Sequence, residues 1–555
     1  MRRKLSPSGR YGKSGAACIL AGLVSLLALA NCTLVTARTN GQCLDDQQCR
    51  SRGPQFASTR CSAVGTCEAI TLPEAGADAG TSCDTNQQCN TVLSTSARCV
   101  DRQCVALLGS GCTKVDGDPT DPNAIFLGVM TPLTGQNSAY GLNQYQVVQA
   151  AAAEWNANIT GQANTHPFVT IGCDERADPG GTSTFLASKV QAAAIFGPIY
   201  DVDFAAAAAA ATLNGTIMAG SRADDPNLST YAGAGKTIWS WQPNRKIQAA
   251  YLNNLVSVLE PSVKTSQGVT TGDLKVALVV ATGDDTSSAD FATLVEPTLA
   301  FNGKTTTQNG ANYTRVNIPF SFTTANIYTT TVATLVQAAP DLVIVTQEYD
   351  LLAFVRAVNN GWTGAKFPRF LFLTEDPSVD GEVELPKEKF SGKLDFVTWT
   401  RSAQEQQNAS TFAVSFRTAT GGDPASFSES LYDAFYENAY ALQTVLDSNS
   451  NVIATLDPGA YSSAIASFNS PGSPINVGVG SGTPNNIAQM LTLVAGKTDV
   501  DLEGASGPLE FGATSGSPIQ NAELRCIKSG ANSVSTSGVT FDGKTGAATG
   551  AYSCL

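Results

Sequence analysis

The sequence predicts an α/β protein whose parallel sheets are divided between two lobes. From Ala124 onward, short and almost continuously apolar runs alternate with longer Ala-rich stretches that have helical spacing. Strands that are apolar on both sides are typical of parallel sheets covered by helices on both faces. The roughly 430 residues from Ala124 to Leu555 exceed what one such sheet usually organises, which favours two lobes.

Each element follows from its own pattern. Tyr145, Val148, Ala152 and Trp155 recur every three or four positions and indicate a helix over residues 142–158. Further helices are predicted over residues 204–213, 291–301 and 349–360. Apolar runs that separate the helices predict strands over residues 124–130, 168–173, 193–196, 217–219, 275–280, 342–346 and 369–373.

The first thirty residues indicate export. Five positive charges within residues 1–13 precede an apolar run over residues 16–30. This pattern is typical of a signal peptide, and the run is shorter than the roughly 20 residues of a membrane span. We therefore expect an exported chain, located in the periplasm or at the cell surface.

Two cleavage sites are possible after this leader. Residues 29–32 (LANC) resemble a bacterial lipobox, which would lipidate Cys32, although Asn31 replaces the usual small residue. The alternative is cleavage after residues 28–30 (ALA). Without Cys18 and a lipidated Cys32, twelve of the 14 cysteines remain, an even number that can pair fully. The parity favours the lipoprotein, with signal peptide 1–31.

Eight cysteines form an internal repeat of two small modules. Module 1 (residues 32–67) contains Cys43, Cys49, Cys61 and Cys67, and module 2 (residues 83–114) contains Cys83, Cys89, Cys99 and Cys104. Modules this small need cross-links, and four cysteines predict two disulfides with three possible connectivities. Zinc is the alternative, but no CxxC pair occurs. Residues 68–82 and 115–123 are predicted linkers. The two modules form either a spacer or protein-contact stalk, or inert units held together by their disulfides.

Four cysteines lie outside the two repeated blocks. Cys526 and Cys554 are predicted to tie the C-terminal tail to the last strands. Cys112 and Cys173 are then left for each other.

Charge and histidine content exclude several functions. The chain has 34 basic and 47 acidic residues, a net charge of −13. Loss of the five basic leader residues leaves 29 against 47, a net charge of −18. Such a chain repels nucleic acid and anionic lipid, so only a lipid anchor would bind it to a membrane. The single histidine, His166, excludes multi-His metal sites, and we expect no cofactor. An exported enzyme is the least favoured function.

Four motifs resemble those of a known family. They are FLGVMTPLTG at 126–135 with AYG at 139–141, FGP at 196–198, SLYDAFYENAY at 430–440 and GASGPLEF at 504–511. In this order and spacing they resemble type I periplasmic binding proteins, specifically the branched-chain amino acid (Leu/Ile/Val) receptors of ABC transporters. The similarity extends from about residue 124 to residue 529.

The resemblance implies two doubly wound, Rossmann-like lobes joined by three crossovers, with a ligand cleft between them. Lobe 1 would contain residues 124–242 and 401–515, and lobe 2 residues 243–400 and 516–555. Strand carboxyl ends and helix N-termini would converge at the cleft. Hinge closure would bury a small solute for an ABC permease. The alternative is a sensor that transmits closure to a partner through the Cys-rich modules.

The resemblance also implies a set of ligand residues. They are Ser138, Ala139, Tyr140, Tyr200, Asp201, Ala223, Asp224, Ser287, Tyr349 and Glu375. Glu375 aligns with the family's ammonium-binding carboxylate, and its alternative role is that of a solvated loop residue.

The carboxylate side of the cleft departs from the family pattern. Asp201 and Asp224 stand about where the family has hydroxyl residues, and they would repel a ligand carboxylate unless Arg222 compensates. We therefore expect a cationic, amide-like or polyol ligand rather than a standard branched-chain amino acid. Asp203 is predicted to be the N-cap of the poly-Ala helix.

Overall fold

The computed structural model describes residues 59–61, 67–69 and most of 82–554. Residues outside the described ranges after 82 are 136, 161, 163–164, 221–236, 244, 284–285, 321–327, 347–350, 374–383, 426, 450–455, 469–473, 479–485, 497 and 512–515. The predicted signal peptide, Cys32 and both possible cleavage sites also lie outside them. The chain divides into two compact units, Met1–Glu68 and Ala69–Leu555. In module 1, β1 (Thr59–Cys61) pairs with β2 (Cys67–Ala69).

Module 2 is a helix followed by a hairpin, stapled twice. A capping box between Thr85 and Gln88 starts α1 (Asn86–Leu93). The antiparallel hairpin comprises β3 (Ala97–Val100) and β4 (Gln103–Ala106). Disulfides join Cys83 to Cys99 and Cys89 to Cys104. The connectivity is therefore first to third and second to fourth, and it leaves no thiolate of this module for zinc.

Lobe 1 is built on a six-stranded sheet. Its strands are β5 (Cys112–Asp116), β6 (Ile125–Thr131), β7 (Phe168–Asp174), β8 (Ala194–Phe196), β9 (Ile217–Gly220) and β10 (Ile238–Ser240). The spatial order is β10-β9-β8-β6-β7-β5, and every pair is parallel except β5 with β7. The first helices of this lobe are α2 (Ser138–Asn158), α3 (Pro179–Thr184), a π-helix (Phe185–Val190) and α4 (Asp201–Leu213).

The edge strand β5 corrects a predicted boundary. Residues 112–116 were expected to end module 2 and begin a linker, yet they pair with β7. A disulfide joins Cys112 to Cys173 across the two strands, as expected. Lobe 1 therefore begins at Cys112, because the cross-linked segment covers an otherwise open sheet edge.

Lobe 2 is built on an eight-stranded mixed sheet. Its first part consists of α5 (Arg245–Gln267), β11 (Val276–Gly283), α6 (Thr286–Val295), β12 (Ala300–Phe301), β13 (Lys304–Thr305), α7 (Thr306–Asn309), β14 (Tyr313–Phe320), α8 (Tyr328–Ala338), β15 (Leu342–Val345), α9 (Leu351–Gly361), β16 (Arg369–Phe372) and β17 (Leu394–Trp399). Strands β14-β11-β15-β16-β17 are parallel neighbours in that order.

The chain then returns to lobe 1 and ends in lobe 2. The returning segment contains α10 (Ala403–Thr420), α11 (Ser428–Asn449), α12 (Pro458–Ser467), β18 (Pro474–Asn476), α13 (Asn486–Ala495) and β19 (Asp501–Glu503). Its apolar side chains share one core with Trp155 and Phe168 of lobe 1. The sheet of lobe 2 is completed by antiparallel β20 (Ala522–Ile527), β21 (Val534–Phe541) and β22 (Ala548–Gly550).

The main chain therefore passes between the lobes three times, which confirms the predicted architecture. The crossovers follow β10, β17 and β19. The disulfide between Cys526 and Cys554 ties the tail to β20, as expected. No helix in the described ranges is both long and apolar enough to span a membrane.

Two predicted helix starts are wrong. Tyr200 is the N-cap of α4, and Asp203 lies inside the first turn. Asp203 therefore does not cap the helix; its side chain is buried and forms an ion pair with Arg176. Helix α6 begins at Thr286 and ends at Val295, earlier than the predicted 291–301, because residues 300–301 pair with β13.

Candidate functional site

Two loops meet where the strand order of lobe 1 reverses. The chain runs from β6 to β7 on one side and then places β8 on the other side of β6. Loop 1 (residues 132–137) follows β6, and loop 2 (residues 197–200) follows β8. Ligands of doubly wound sheets bind at this switch point, outside the carboxyl ends of the strands. These two loops are therefore the described part of the candidate site.

Asp174, the last residue of β7, holds loop 1. Its Oδ1 accepts a hydrogen bond from the Leu133 N–H at 3.2 Å, and its Oδ2 accepts one from the Thr134 hydroxyl. The backbone N–H of Arg176 also donates to Oδ1, at 3.1 Å. Asp174 is buried, so loop 1 is fixed from below by a carboxylate that solvent scarcely reaches.

Glu175 holds loop 2 in the same way. Its Oε2 accepts the backbone N–H of Ile199 at 2.7 Å, and its Oε1 accepts that of Tyr200 at 3.2 Å. Glu175 is fully buried. Burial and the charge of Asp203 raise its pKa well above the usual range, while the two N–H donors act in the opposite direction.

Loop 2 begins with a glycine that the backbone requires. Gly197 has a φ of +92°, and a Cβ there would lie 2.1 Å from the Met130 carbonyl oxygen. The Gly197–Pro198 peptide is cis. The predicted FGP turn is therefore a tight element packed against the end of β6.

A side-chain hydrogen bond joins the two loops. Asn137 Nδ2 donates to the Tyr200 hydroxyl at 2.6 Å. The Arg176 guanidinium carbon lies 5.3 Å from the centre of the Tyr200 ring, and Arg176 Nε lies 3.6 Å from Asp203 Oδ2. Tyr200 is only 5% exposed. Its main role in this arrangement is to connect the loops rather than to line the cleft.

The predicted ligand residues fall into three groups. Ser138, Ala139 and Tyr140 form the first turn of α2, directly after loop 1, with Ala139 exposed and the other two partly exposed. Tyr200 joins them at the same edge. Asp201 and Ser287 lie in the first turns of α4 and α6, with side chains outside the described set. The remaining predictions, at Ala223, Asp224, Tyr349 and Glu375, lie outside the described residues.

Sequence reasoning missed the two carboxylates beneath the loops. Asp174 and Glu175 directly follow Cys173 at the end of an apolar run. Consecutive acidic residues at the carboxyl end of a buried strand were the available signal, because that edge of a parallel sheet collects functional groups. Asn137 gave no comparable signal.

A cavity of about 520 Å³ lies at the crossovers. Both lobes line it, through Gln242, Arg401, Phe427, Ser506, Glu523 and Arg525 among others. Arg401 Nε donates to the Ser506 carbonyl at 3.1 Å and so links the second crossover to the third. The volume falls in the range of small-molecule pockets.

Two helices approach each other across the cleft. Helix α4 of lobe 1 and helix α6 of lobe 2 come within 8 Å between Cα atoms. Each begins at the carboxyl edge of its own sheet, after β8 and β11.

His166 lies away from this edge. It precedes β7, and its Nδ1 is 2.9 Å from the Asn123 carbonyl oxygen, just before β6 begins. Both contacts are at the amino edge of the sheet, whereas the loops are at the carboxyl edge. The described residues of the two loops therefore include no histidine within reach for acid–base chemistry.

Solved structures of two-lobed binding proteins have a similar architecture. A solute-binding protein of an ABC transporter from Rhodopseudomonas palustris BisB5, solved with 3,4-dihydroxybenzoic acid, is 13% identical over 78% of this chain and 98% of its own, with a TM-score of 0.51. A leucine-binding protein from Thermotoga maritima is 17% identical over 74% of this chain and 97% of its own, with a TM-score of 0.49. An isoleucine-bound branched-chain amino acid transporter binding protein from Streptococcus pneumoniae is 15% identical over 74% and 99%, with a TM-score of 0.49.

These similarities concern the fold. The first structure and this chain have the two-lobed fold of type I periplasmic binding proteins. No family model matches the chain, and no curated protein sequence matches it.

Proposed function

We propose that this protein is an extracytoplasmic solute-binding protein that captures a small ligand between its two lobes for an ABC importer. The capture is non-covalent, and the protein acts as a binding module rather than as an enzyme. Closure about the three crossovers brings the loop edges of both sheets together around the solute.

The observation that carries the proposal is the support of loops 1 and 2 by Asp174 and Glu175. Burying two adjacent carboxylates costs free energy that an apolar pair would not cost. Their oxygens bind the backbone and the Thr134 hydroxyl of the two loops at the switch point. Such fixed loops lower the entropy lost on binding, which is a benefit only if the loops meet a ligand.

The proposed location is the cell envelope. The signal sequence and the lipobox-like residues around Cys32 support export and lipid anchoring. A lipid on the mature N-terminus would keep the binding protein beside a membrane permease. Mass spectrometry of the N-terminal peptide tests this directly, since lipidation of Cys32 and cleavage after Ala30 differ in mass.

The proposed ligand is polar and carries no exposed carboxylate. By the family resemblance, Asp201 and Asp224 would supply negative charge near the loops, and Glu375 would supply more from the other lobe. A cationic, amide-like or polyol solute fits these charges better than leucine does. The aromatic acids and amino acids named for the similar structures therefore serve as control ligands for these solutes.

A thermal-shift screen with the mature protein tests the function. The panel contains leucine, isoleucine, benzoate, arginine, putrescine, an amino-acid amide and several polyols, and each hit is measured by calorimetry. We expect a hit among the cations, amides or polyols and a weaker response to leucine. Tight leucine binding that persists in Asp224→Ala would overturn the ligand class, and failure of every solute class would count against capture itself.

A sensor that passes the ligand signal to a partner is the second candidate. It is favoured by the packing of module 2, whose Leu107 belongs to the core of lobe 1 together with Phe126 and Ile171. Because module 2 shares a core with lobe 1, a change in lobe 1 on ligand binding is able to reach the module. Pull-down of a permease or of a sensor protein with the full chain distinguishes the two candidates.

A further inference from the structure

Module 2 is joined to lobe 1 by a partly buried arginine. Arg98 Nη1 donates to the carbonyl oxygens of Val190 and Gln191 at 2.6 and 2.7 Å, at the end of the π-helix. Its guanidinium carbon lies 4.5 Å from the centre of the Phe126 ring. Burial lowers the pKa of Arg98 to about 10. The arginine thus satisfies helix-end carbonyls that would otherwise lack a donor.

The packing makes module 2 an integral part of lobe 1 rather than a separate stalk. Leu107 is fully buried in the same core as Phe126. Asn86 Nδ2 donates to the Asp121 carbonyl at 3.3 Å, and Gln191 Nε2 donates to Asp101 Oδ2 at the same distance. Apolar burial and several polar contacts therefore fix one face of the module.

The end of module 2 reaches the residue that holds loop 1. The backbone N–H of Asp174 donates to the Gly111 carbonyl at 2.9 Å, and the Thr182 hydroxyl donates to the Ser110 carbonyl at 2.9 Å. The next residue, Cys112, is bonded covalently to Cys173. The cross-link and the hydrogen bond together fix the backbone from which the Asp174 and Glu175 side chains extend.

We infer that module 2 and the Cys112–Cys173 cross-link are positioning elements for loops 1 and 2. They act through Asp174 and Glu175, whose carboxylates bind Leu133 of loop 1 and Ile199 of loop 2. Restraining the ends of a strand limits the positions that its terminal side chains adopt. The inference rests on the proposed function only in treating these loops as ligand loops.

Hydrogen exchange of the full chain without any solute tests this positioning. The variant is Cys112→Ser with Cys173→Ser, and the matched control is Cys526→Ser with Cys554→Ser, which removes the disulfide of the lobe 2 tail. We expect amide exchange in residues 131–141 and 196–202 to become at least fivefold faster in the first variant only. Exchange in β11 (Val276–Gly283) reports on general destabilisation and should be the same in both variants.

A second pair of variants keeps the test decisive if the serine variant fails to fold. Arg98→Ala removes the partly buried contact to Val190, whereas Arg102→Ala removes an exposed arginine of the same module. We expect faster amide exchange in loops 1 and 2 of Arg98→Ala and the wild-type exchange rate in those of Arg102→Ala. Exchange at the wild-type rate in the loops of every folded variant would overturn the inference.

The outcome is independent of the solute screen. Faster loop exchange together with a failed screen would leave the positioning intact and reject solute capture. Unchanged loop exchange together with a solute hit would reject the positioning and leave solute capture intact.

Discussion

The indole Nε1 of Trp241 donates a 2.6 Å hydrogen bond to Oε2 of Glu437. Trp241 begins the first crossover, immediately after β10, and Glu437 lies within α11. Both side chains are fully buried. Burial raises the pKa of Glu437 well above the usual range, and the charge of Asp433 acts in the same direction. The bond therefore joins the crossover to a buried acid in the core of lobe 1 whose protonated form burial favours, although the Trp241 hydrogen bond acts in the opposite direction.

Glu437→Gln should stabilise the protein at alkaline pH and change little at acidic pH. The unfolded glutamate ionises above about pH 4.5, whereas burial keeps the folded one protonated to higher pH. The contribution of Glu437 to stability therefore falls by about 1.4 kcal/mol per pH unit until its raised pKa is reached. Glutamine does not ionise, so it causes no loss of stability with rising pH, and its side-chain oxygen still accepts the hydrogen bond from Trp241 Nε1. Denaturant unfolding at pH 5 and pH 8 should show the difference growing with pH. Glu510→Gln, at an exposed ion pair, is the control, and an equal pH profile in both variants would refute the neutral acid.

Glu175→Gln should loosen loop 2 while the lobe stays folded. Glutamine keeps one acceptor oxygen and turns an N–H group toward the other backbone donor, which costs about 1 to 3 kcal/mol. Amide exchange at Ile199 and Tyr200 should therefore become about tenfold faster. Glu384→Gln, an exposed position in lobe 2, is the control. Unaltered exchange in residues 196–202 would show that the carboxylate does not hold this loop.

Asn137 and Tyr200 should be energetically coupled. Tyr200→Phe removes the acceptor of the Asn137 amide, and Asn137→Ala removes the donor. A double-mutant cycle measured by denaturant unfolding should give a coupling of about 0.5 to 1.5 kcal/mol. Additive effects of the two substitutions would mean that the bond between the loops contributes nothing.

Arg369 and Asp395 form a buried ion pair in lobe 2. Arg369 Nη2 donates to Asp395 Oδ1 at 2.8 Å, and the Tyr552 hydroxyl donates to the same oxygen at 2.7 Å. Arg369→Met should destabilise the protein by about 3 to 5 kcal/mol, because it leaves a buried carboxylate without its cation.

The double variant of this pair provides the control. Arg369→Met with Asp395→Leu should recover most of the lost unfolding free energy, since neither charge is then buried alone. A double variant no more stable than Arg369→Met would show that packing, rather than the unpaired charge, causes the loss. Chemical denaturation of both variants supplies the measurement.

The sequence alone predicted four of the six strands of lobe 1 and missed β5 and β10, while the three crossovers were implied by the family resemblance. Apolar runs such as the one over residues 168–173 mark buried parallel strands because both faces must exclude water. The pairs Cys112–Cys173 and Cys526–Cys554 were also predictable, since the other described cysteines belong to a spaced repeat. The family resemblance supplied the two-lobed architecture and the position of the loops.

Other features depended on contacts between distant residues. Asp203 precedes a poly-Ala run and was predicted to cap it, but the helix starts at Asp201, and the buried Asp203 side chain forms an ion pair with Arg176. Residues 112–116 have no strand signature of their own, and only the disulfide partner on β7 makes them an edge strand.

Local pattern thus determined which of many segments are strands and helices and which cysteines can pair, and the family resemblance implied the crossovers between lobes. Tertiary structure decided that Asp174 and Glu175 lie beneath both loops and that module 2 shares the core of lobe 1. The physical reason is one of range. Hydrophobic periodicity and capping act between residues close in sequence, whereas burial of a carboxylate or an arginine is set by partners from remote segments that meet only in the folded chain.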